Sequence, residues 1–346
     1  MKYQHVENVP NINSWEIIDN NCYYASGNLV KVIGKEVSIP IPLPYWGVEF
    51  NPSFFNVFTN RSVNTFFNYQ GKVINTFEEK DFYYYFSDSS FIYYDRVSKR
   101  LMYNDLELLR GKMLSFYIFD DLLFFEKENK IQTINFLSGQ FLWEFSLASL
   151  GKWKNSWDEE RDFEIRHFIG IYNGIIWAFI EIGGFIGLDI ETGELKYRIP
   201  EYDEAIGKTI CKGKGFFRSD YLLNSEKGKI LGLAVDVFIE IDLTQEPPFV
   251  TQYGLQEEFE KYNIKKANDT ATDYVVQDDL LYFSLFNQLR FGILDINTKE
   301  IIYISEPIAV VERDDCFTRL RDLKVSENKV YILDSNHTLH IFEREE

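Results

Sequence analysis

The chain has 346 residues, 45% of them hydrophobic and 26% charged, which is enough apolar content for a sizeable core. Its 54 acidic residues outnumber 36 basic ones, a formal net charge of −18 that has the wrong sign for a duplex nucleic-acid binder or for docking on an anionic membrane. Three widely separated cysteines, Cys22, Cys211 and Cys316, argue against a disulfide scaffold and supply no C-x-x-C metal or redox motif.

In chain order, the N-terminal stretch MKYQHVENVPNINSWEIIDN shows no apolar signal core and no lipobox cysteine, and no run reaches the roughly 18 apolar residues of a membrane span. The expectation is a cytoplasmic protein. SWEII, residues 14–18, reads as a lone strand. SGNLVKV then places two turn residues before an apolar run, a hairpin signal. The pattern blurs between 34 and 70, around IPIPLPYWGVEFNPSFF. The hairpin signal returns in YQGKVIN, FDDLLFF, YNGIIWA, EKGKILG, QDDLLYF and SENKVYI. Its second turn residues are Asn28, Gly71, Asp121, Gly174, Gly228, Asp279 and Asn328, spaced by 43, 50, 53, 54, 51 and 49. One helix is predicted, LQEEFEKYNIKK from Leu255 to Lys266.

A second repeat is interleaved with the first. FIGLDIETGELKYRIP, residues 185–200, has Asp189, Thr192, Gly193 and Tyr197, which is an Asx turn followed by an aromatic on the return strand. Asn135, Ser138, Gly139 and Trp143 repeat it. So do Asp295, Thr298, Lys299 and Tyr303, and Asp95, Ser98, Lys99 and Tyr103. Asp242 opens a degraded copy. Gly suits the left-handed turn position, and Lys is less comfortable there. Four short strands in each 40 to 50 residues make a β-propeller blade. The expected fold is all-β: one propeller of seven four-stranded blades over residues 1–346, with blades near 20–60, 61–110, 111–150, 165–200, 215–252, 272–305 and 318–346. Strand 14–18 is expected to complete the last blade and remove an open sheet edge.

The D-x-x-[ST]-G-x-x-x-[WY] repeat resembles that of the quinoprotein-like, or PQQ-repeat, β-propellers, over roughly residues 73–304. The resemblance implies two activities, quinone-dependent dehydrogenation and outer-membrane assembly as a lipoprotein. The chain lacks the residues for either. No two cysteines are adjacent to close a ring over a quinone, only Trp143 supplies a docking tryptophan, and no lipobox is present. No cofactor is therefore expected.

Other chemistry is equally sparse. His337 and His340 stand three apart on a predicted strand, which puts them on opposite faces and prevents a shared metal. His5 and His167 are read as structural. The stretch GKTICKGKGFF (207–217) carries no complete P-loop fingerprint and reads as a loop. The carboxylate pairs Asp120–Asp121 and Asp278–Asp279 fall at hairpin turns. No catalytic or metal-binding residue is assigned.

The informative irregularities are insertions between the last strand of one blade and the first of the next: 147–164, 199–212, 253–272 and 305–318. They mix charge with aromatics, as interface anchors do. Candidate partner-binding residues are Trp153, Trp157, Glu159, Glu160, Asp203, Glu204, Glu257, Glu258, Tyr262, Glu312, Asp314 and Asp315, with Phe259 beside them. The functional expectation is a non-catalytic, monomeric propeller that binds a basic protein, for example a cytoplasmic immunity protein that neutralises a toxin such as a nuclease. The alternatives are an enzyme or carbohydrate-binding protein using carboxylates and aromatics of the central channel, and a scaffold subunit of a larger complex.

Overall fold

The computed structural model describes all residues except 61–62, 88, 112–114, 155–158, 181–183, 200–201, 204–207, 210–219, 235, 265–269, 286–287, 309–318 and 346. Among the described residues the chain forms eight four-stranded antiparallel sheets and two short two-stranded ones. Seven were expected. The expected blades at 20–60 and 61–110 resolve into three sheets. The first holds Ser14–Ile18, Asn21–Ser26, Leu29–Val32 and Ser38–Pro40. The second holds Gly47–Phe50, Phe54–Asn60, Val63–Asn68 and Val73–Glu78. The third holds Lys80–Ser87, Ser90–Asp95, Arg100–Tyr103 and Leu106–Arg110.

The miscount has a local cause. In the fourth to eighth sheets the counted turns join the first strand to the second. Asn28 instead joins the second to the third, and Gly71 the third to the fourth. Two unlike turns at blade-like spacing hid one sheet.

The fourth sheet runs over 116–146, the fifth over 165–199, the sixth over 222–254 and the seventh over 270–304. The eighth combines Leu320–Ser326, Lys329–Asp334 and Leu339–Arg344 with Tyr3–Val9. Closure by an N-terminal strand is therefore present, but the strand is not 14–18. Tyr3 pairs with Arg344 and Val9 with Leu339. Ser14–Ile18 is committed elsewhere, since Asp19 and Asn20 at φ 47° and 61° turn it directly onto Asn21–Ser26. Tyr3–Val9 is exposed over most of its length and so carries no hydrophobic signal in the sequence. The predicted helix is short, Gln256–Glu260.

The described chain divides into two compact units, residues 1–98 with 255–346, and residues 99–254. In the second unit, the second and third strands of the fifth sheet, Ile175–Ile180 and Gly184–Asp189, are buried almost throughout. Neighbouring sheets cover both faces, which is why IIWAFI reads as a continuous apolar run rather than an alternation. Trp177, Phe179 and Phe185 pack with Tyr221, Ile230 and Ile239 of the sixth sheet region. Each such side chain contributes about 1.5–3 kcal/mol on burial.

The repeat motif is what ties these sheets together. Asp189 Oδ1 accepts the Glu191 and Thr192 amides at 3.0 and 2.9 Å and the Thr192 hydroxyl at 3.0 Å. These bonds, led by the Thr192 amide, hold its carboxyl below the usual range. Gly193 follows at φ 73°. In three copies the aromatic eight residues in reaches the turn of the next. Tyr103 packs on Phe136 with ring centroids 5.1 Å apart. Trp143 donates its indole N–H to the Ile190 carbonyl at 2.8 Å. Tyr197 stacks on Trp177 and donates its phenol to Glu246 Oε2 at 2.6 Å. Lys99 and Lys299 adopt the left-handed conformation at φ 55° and 65° where two other copies use Gly139 and Gly193. Asp95 departs from the pattern by closing the second strand of its sheet, not the third.

Candidate functional site

The expected partner-binding residues divide between the two units. Trp153 lies on a short hairpin, Lys152–Lys154 paired with Glu160–Asp162. Its indole donates to the Asp162 carbonyl at 3.1 Å, and its ring packs against the cluster that holds Trp143, Leu147 and Phe163. It pins the loop. Glu160 is exposed, and Glu159 pairs with Arg161 at 2.7 Å. Asp203 sits on a two-residue strand opposite Lys208. In the first unit, Glu257 is exposed, whereas Glu258 bonds Lys261 at 2.6 Å and accepts the Ile301 amide at 3.3 Å. Tyr262 donates its hydroxyl to the Ile301 carbonyl at 2.9 Å, and Phe259 is fully buried. The aromatics of this insertion thus fold back onto the seventh sheet. Trp157, Glu204, Glu312, Asp314 and Asp315 lie outside the described residues, as do Cys211, Cys316 and most of 207–217.

Exposed apolar surface of a different kind occurs where the sequence pattern blurs. The connection from the first sheet to the second, 41–46, is of the same class as the four insertions. It carries Leu43 at 64% exposure and Trp46 at 66%. Its backbone is held in place: the Trp46 amide donates to the Phe58 carbonyl at 2.7 Å, and the Tyr45 hydroxyl accepts from Asn13 at 2.8 Å. The Leu43–Pro44 peptide is cis.

Trp46 borders a cavity of about 240 Å³ lined also by Glu49, Phe58, Asn64, Lys80, Asp81, Phe82, Tyr85 and Arg96. Glu49 comes from the first strand of the second sheet, and Lys80 to Tyr85 from the first strand of the third. A buried network fixes the floor. Asn56 donates to Asn64 Oδ1 at 3.0 Å and to the Tyr85 hydroxyl at 2.9 Å, and Asn64 donates to the Lys80 carbonyl at 3.0 Å. The Tyr85 phenol then donates to Glu49 Oε2 at 3.0 Å. Desolvation holds the Glu49 carboxyl above the usual range, against the opposing hydrogen bonds from Tyr85 and Asn56. Burial and the Glu49 charge push the Tyr85 phenol well up, so it remains a donor.

The charges in the cavity are unevenly matched. Arg96 is tied to Asp81 through Nε at 2.9 Å. The Lys80 ammonium lies over the Phe77 and Tyr93 rings, 4.9 and 4.1 Å from their centroids. Among the described residues no basic side chain is one of the groups that shift Glu49. The cavity therefore offers an aromatic wall and one carboxylate with room for a cation or a donor-rich group.

The histidines also differ from expectation. His337 is in a turn at φ 64°, not on a strand, and its Nδ1 lies 3.0 Å from the Ile12 carbonyl oxygen. The Asp334 carboxylate draws the chain into that turn by accepting the Asn336 and Thr338 amides. Asp120 and Asp278 take left-handed turn conformations at φ 51° and 55°, as their hairpin positions imply. Among the described residues no group of three His, Cys, Asp or Glu is placed to hold a metal ion. Burial pushes the Cys22 thiol up to about 12, so it is not a reactive thiolate. No helix among the described residues is long and apolar enough to cross a membrane.

Eight four-stranded antiparallel sheets in series define the fold as a β-propeller, with eight blades among the described residues. The fold is similar to that of BamB from Moraxella catarrhalis, with a TM-score of 0.61 and 11% identity over 99% of this chain and 100% of that one. It is also similar to the computationally designed Ika8 protein, with a TM-score of 0.54 and 11% identity over 98% of each chain. No protein-family model matches the sequence, and no curated protein matches it.

Proposed function

We propose that this propeller is a non-catalytic protein-binding module whose partner presents a basic side chain to the cavity beside Trp46. The observation that carries this reading is the pairing of an indole 66% exposed with a carboxylate, Glu49, that has no cationic partner among the described residues. An exposed tryptophan on a hydrogen-bonded connection is a rigid, low-entropy anchor. An entering ammonium or guanidinium would meet the face of Trp46 and the Glu49 carboxylate together, and a partly desolvated charge pair of this kind supports specificity. The net charge of −18 steers a basic partner toward the chain. A finer form of the reading is an inhibitor that neutralises a basic toxin such as a nuclease in the cytoplasm.

Co-expression with the product of the adjacent gene, followed by size-exclusion chromatography, tests the reading. The expected result is a complex that weakens by at least about tenfold in Trp46→Ala and in Glu49→Gln. A complex indifferent to both changes would place the interface elsewhere. A second reading, saccharide binding, rests on the same indole beside Asn64 and Glu49. It predicts saturable binding of neutral oligosaccharides that Trp46→Ala abolishes.

A further inference from the structure

The cavity beside Trp46 has a narrower chemistry than a general taste for cations, and strand register shows which side chains build it. In the second sheet Gly47 pairs with Phe58 and Phe58 with Asn64, while Glu49 pairs with Asn56 and Asn56 with Phe66. Cross-strand partners share a face, as do residues two apart along a strand, so both rows project from one side. Tyr85 of the third sheet meets that side, bonding Asn56 and Glu49 and placing its ring 5.4 Å from that of Phe66. Glu49 and Phe58 therefore face the third sheet across the cavity they line.

A β-bulge shapes the opposite wall. Phe82 and Tyr85 are three residues apart and would point to opposite faces of a regular strand. The pairing register of Lys80–Ser87 shifts between Phe82 and Tyr84, which returns both rings to one face. There they stack, with centroids 5.4 Å apart and 16° between their planes. The fully buried Phe66 ring touches both, at 5.2 and 5.4 Å, and holds them in place. On the second sheet, Gly47 leaves room for the Phe58 ring, since a Cβ there would stand 3.2 Å from Phe58 Cδ2 and Cε2. Phe58, Phe82 and Tyr85 thus line the cavity from two sheets, with the exposed Trp46 at its mouth.

Acceptors are scarce by comparison. Asn64 already accepts from Asn56 and donates to the Lys80 carbonyl. The Tyr85 hydroxyl accepts from Asn56 and donates to Glu49, and Asp81 holds Arg96. Glu49 is left as the main acceptor for an incoming group. A guanidinium brings five N–H donors, and a primary ammonium brings three and is strongly hydrated. Either sheds more water than one carboxylate replaces. Exchanging N–H for N–CH₃ removes the donors, keeps the charge and adds apolar surface for the rings to cover. A nitrogen with three methyls, at about 30 Å³ for each water-sized group, would fill about half of the cavity's 240 Å³. Lys80 also lines the cavity, but its ammonium lies over the Phe77 and Tyr93 rings and is not among the groups that shift Glu49.

We propose that the basic side chain taken by this cavity is a methylated lysine, its methylammonium head covered by Phe58, Phe82, Tyr85 and Trp46 and its charge met by Glu49. Resting on the reading of the propeller as a protein-binding module, this narrows the partner to a protein that carries the modification on an exposed segment. The mouth at Trp46 admits the head group while the rest of the side chain stays with the partner.

The probes are the N-acetyl, N′-methylamide derivatives of trimethyllysine, lysine and arginine, and the uncharged analogue with tert-butyl in place of trimethylammonium. The full chain has six tryptophans, so its indole ¹⁵N–H spectrum is small, and Trp46→Ala assigns the Trp46 signal. The trimethyllysine probe is expected to bind saturably and to shift that signal. The other three should each bind at least about tenfold more weakly, lysine and arginine for want of acceptors and the tert-butyl analogue for want of charge. Glu49→Gln should weaken the trimethyllysine probe toward the level of the tert-butyl analogue. The proposal is overturned if the trimethyllysine probe does not bind at millimolar concentration, or binds without moving the Trp46 signal. It is equally overturned if any of the other three binds as tightly. The protein-binding reading fails by a different result, a partner complex indifferent to Trp46→Ala and Glu49→Gln. A complex that depends on both residues, beside probes that show no preference for the methylated cation, would remove the methyllysine assignment alone.

Discussion

The fifth sheet, 165–199, and the second sheet, 47–78, share a four-strand plan and use it differently. In the fifth sheet each turn residue is engaged. Asp189 holds its own loop, Gly193 admits the Trp143 ring, and Tyr197 reaches Glu246. In the second sheet no Asp–Thr–Gly turn is present. Asn68 closes the third strand by accepting the Gln70 and Lys72 amides, and the ring cluster of Phe54, Phe66 and Phe77 does the packing. The connection into that sheet leaves Leu43 and Trp46 outside. Regular turns lock one blade against the next and leave little surface unspent, whereas the irregular blade keeps an anchor and a charged cavity open.

The largest effect that tests this contrast is Gly193→Val. A Cβ at Gly193 would stand 2.5 Å from Trp143 Cε3, on a backbone at φ 73° that a β-branched residue does not adopt. Overpacking and backbone strain together should cost about 3 kcal/mol or more in a denaturant titration. Near-wild-type stability would mean that the Trp143 dock does not hold the fourth and fifth sheets together.

The next effect is pH-dependent. Glu126 is 2% exposed and accepts the Ile165 amide at 3.0 Å, yet burial pushes its carboxyl up to about 7. A free Glu titrates near ~4.3. Between about 4.3 and 7 the folded chain binds more protons here than the unfolded chain, so stability falls as pH rises through that window and levels off above it. Glu126→Gln keeps an acceptor for Ile165 and removes the charge. Relative to wild type, the variant should gain about 2 kcal/mol between pH 5 and pH 8, measured by urea unfolding at both values. Parallel pH profiles would show that Glu126 is not the source of the slope.

Much of the regular half was legible in the sequence. The Asx turns at Asn135, Asp189 and Asp295 mark third-to-fourth-strand hairpins because the carboxylate or amide must follow a strand end and the left-handed residue must follow it. The blade count was not legible. Gly27–Asn28 and Gly71 resemble first hairpins in residue type, and only pairing partners distinguish them. Tyr3–Val9 is an outer strand open to solvent, so it lacks the alternation that betrays a strand. Trp46 occupies no repeat position, and its exposure depends on the Trp46–Phe58 backbone bond, which no spacing rule foretells. The Asp334–His340 pair, with Nε2 2.9 Å from Oδ2, is six residues apart across a hairpin. It was obscured by reading His337 as part of the same strand.

A smaller effect is expected at Lys99, where the motif uses a residue with a side chain at φ 55°. Lys99→Gly should relieve that strain at the cost of extra freedom in the unfolded chain, for a net gain of about 0.5 kcal/mol. A loss in thermal unfolding would mean that the lysine side chain contributes more than its backbone conformation costs.

The smallest effect on stability is predicted where the largest effect on function is proposed. Trp46 is a large side chain that leaves 66% of its surface in solvent, and the hydrogen bond that fixes its position uses its backbone amide. Trp46→Ala should therefore change the unfolding free energy by no more than about 0.5 kcal/mol. A protein that retained such an indole for folding would have buried it, as Trp143 and Trp177 are buried at 6% and 1% exposure. If Trp46→Ala instead destabilises the chain as Gly193→Val does, the ring is a structural cap over the Phe58 and Tyr85 side chains. The distinction between a locking blade and an open blade would then fail at its central residue. If stability is unchanged and partner binding is lost, the two sheets differ in the way described: one buries its aromatics in the fold, and the other presents an exposed indole to a second molecule.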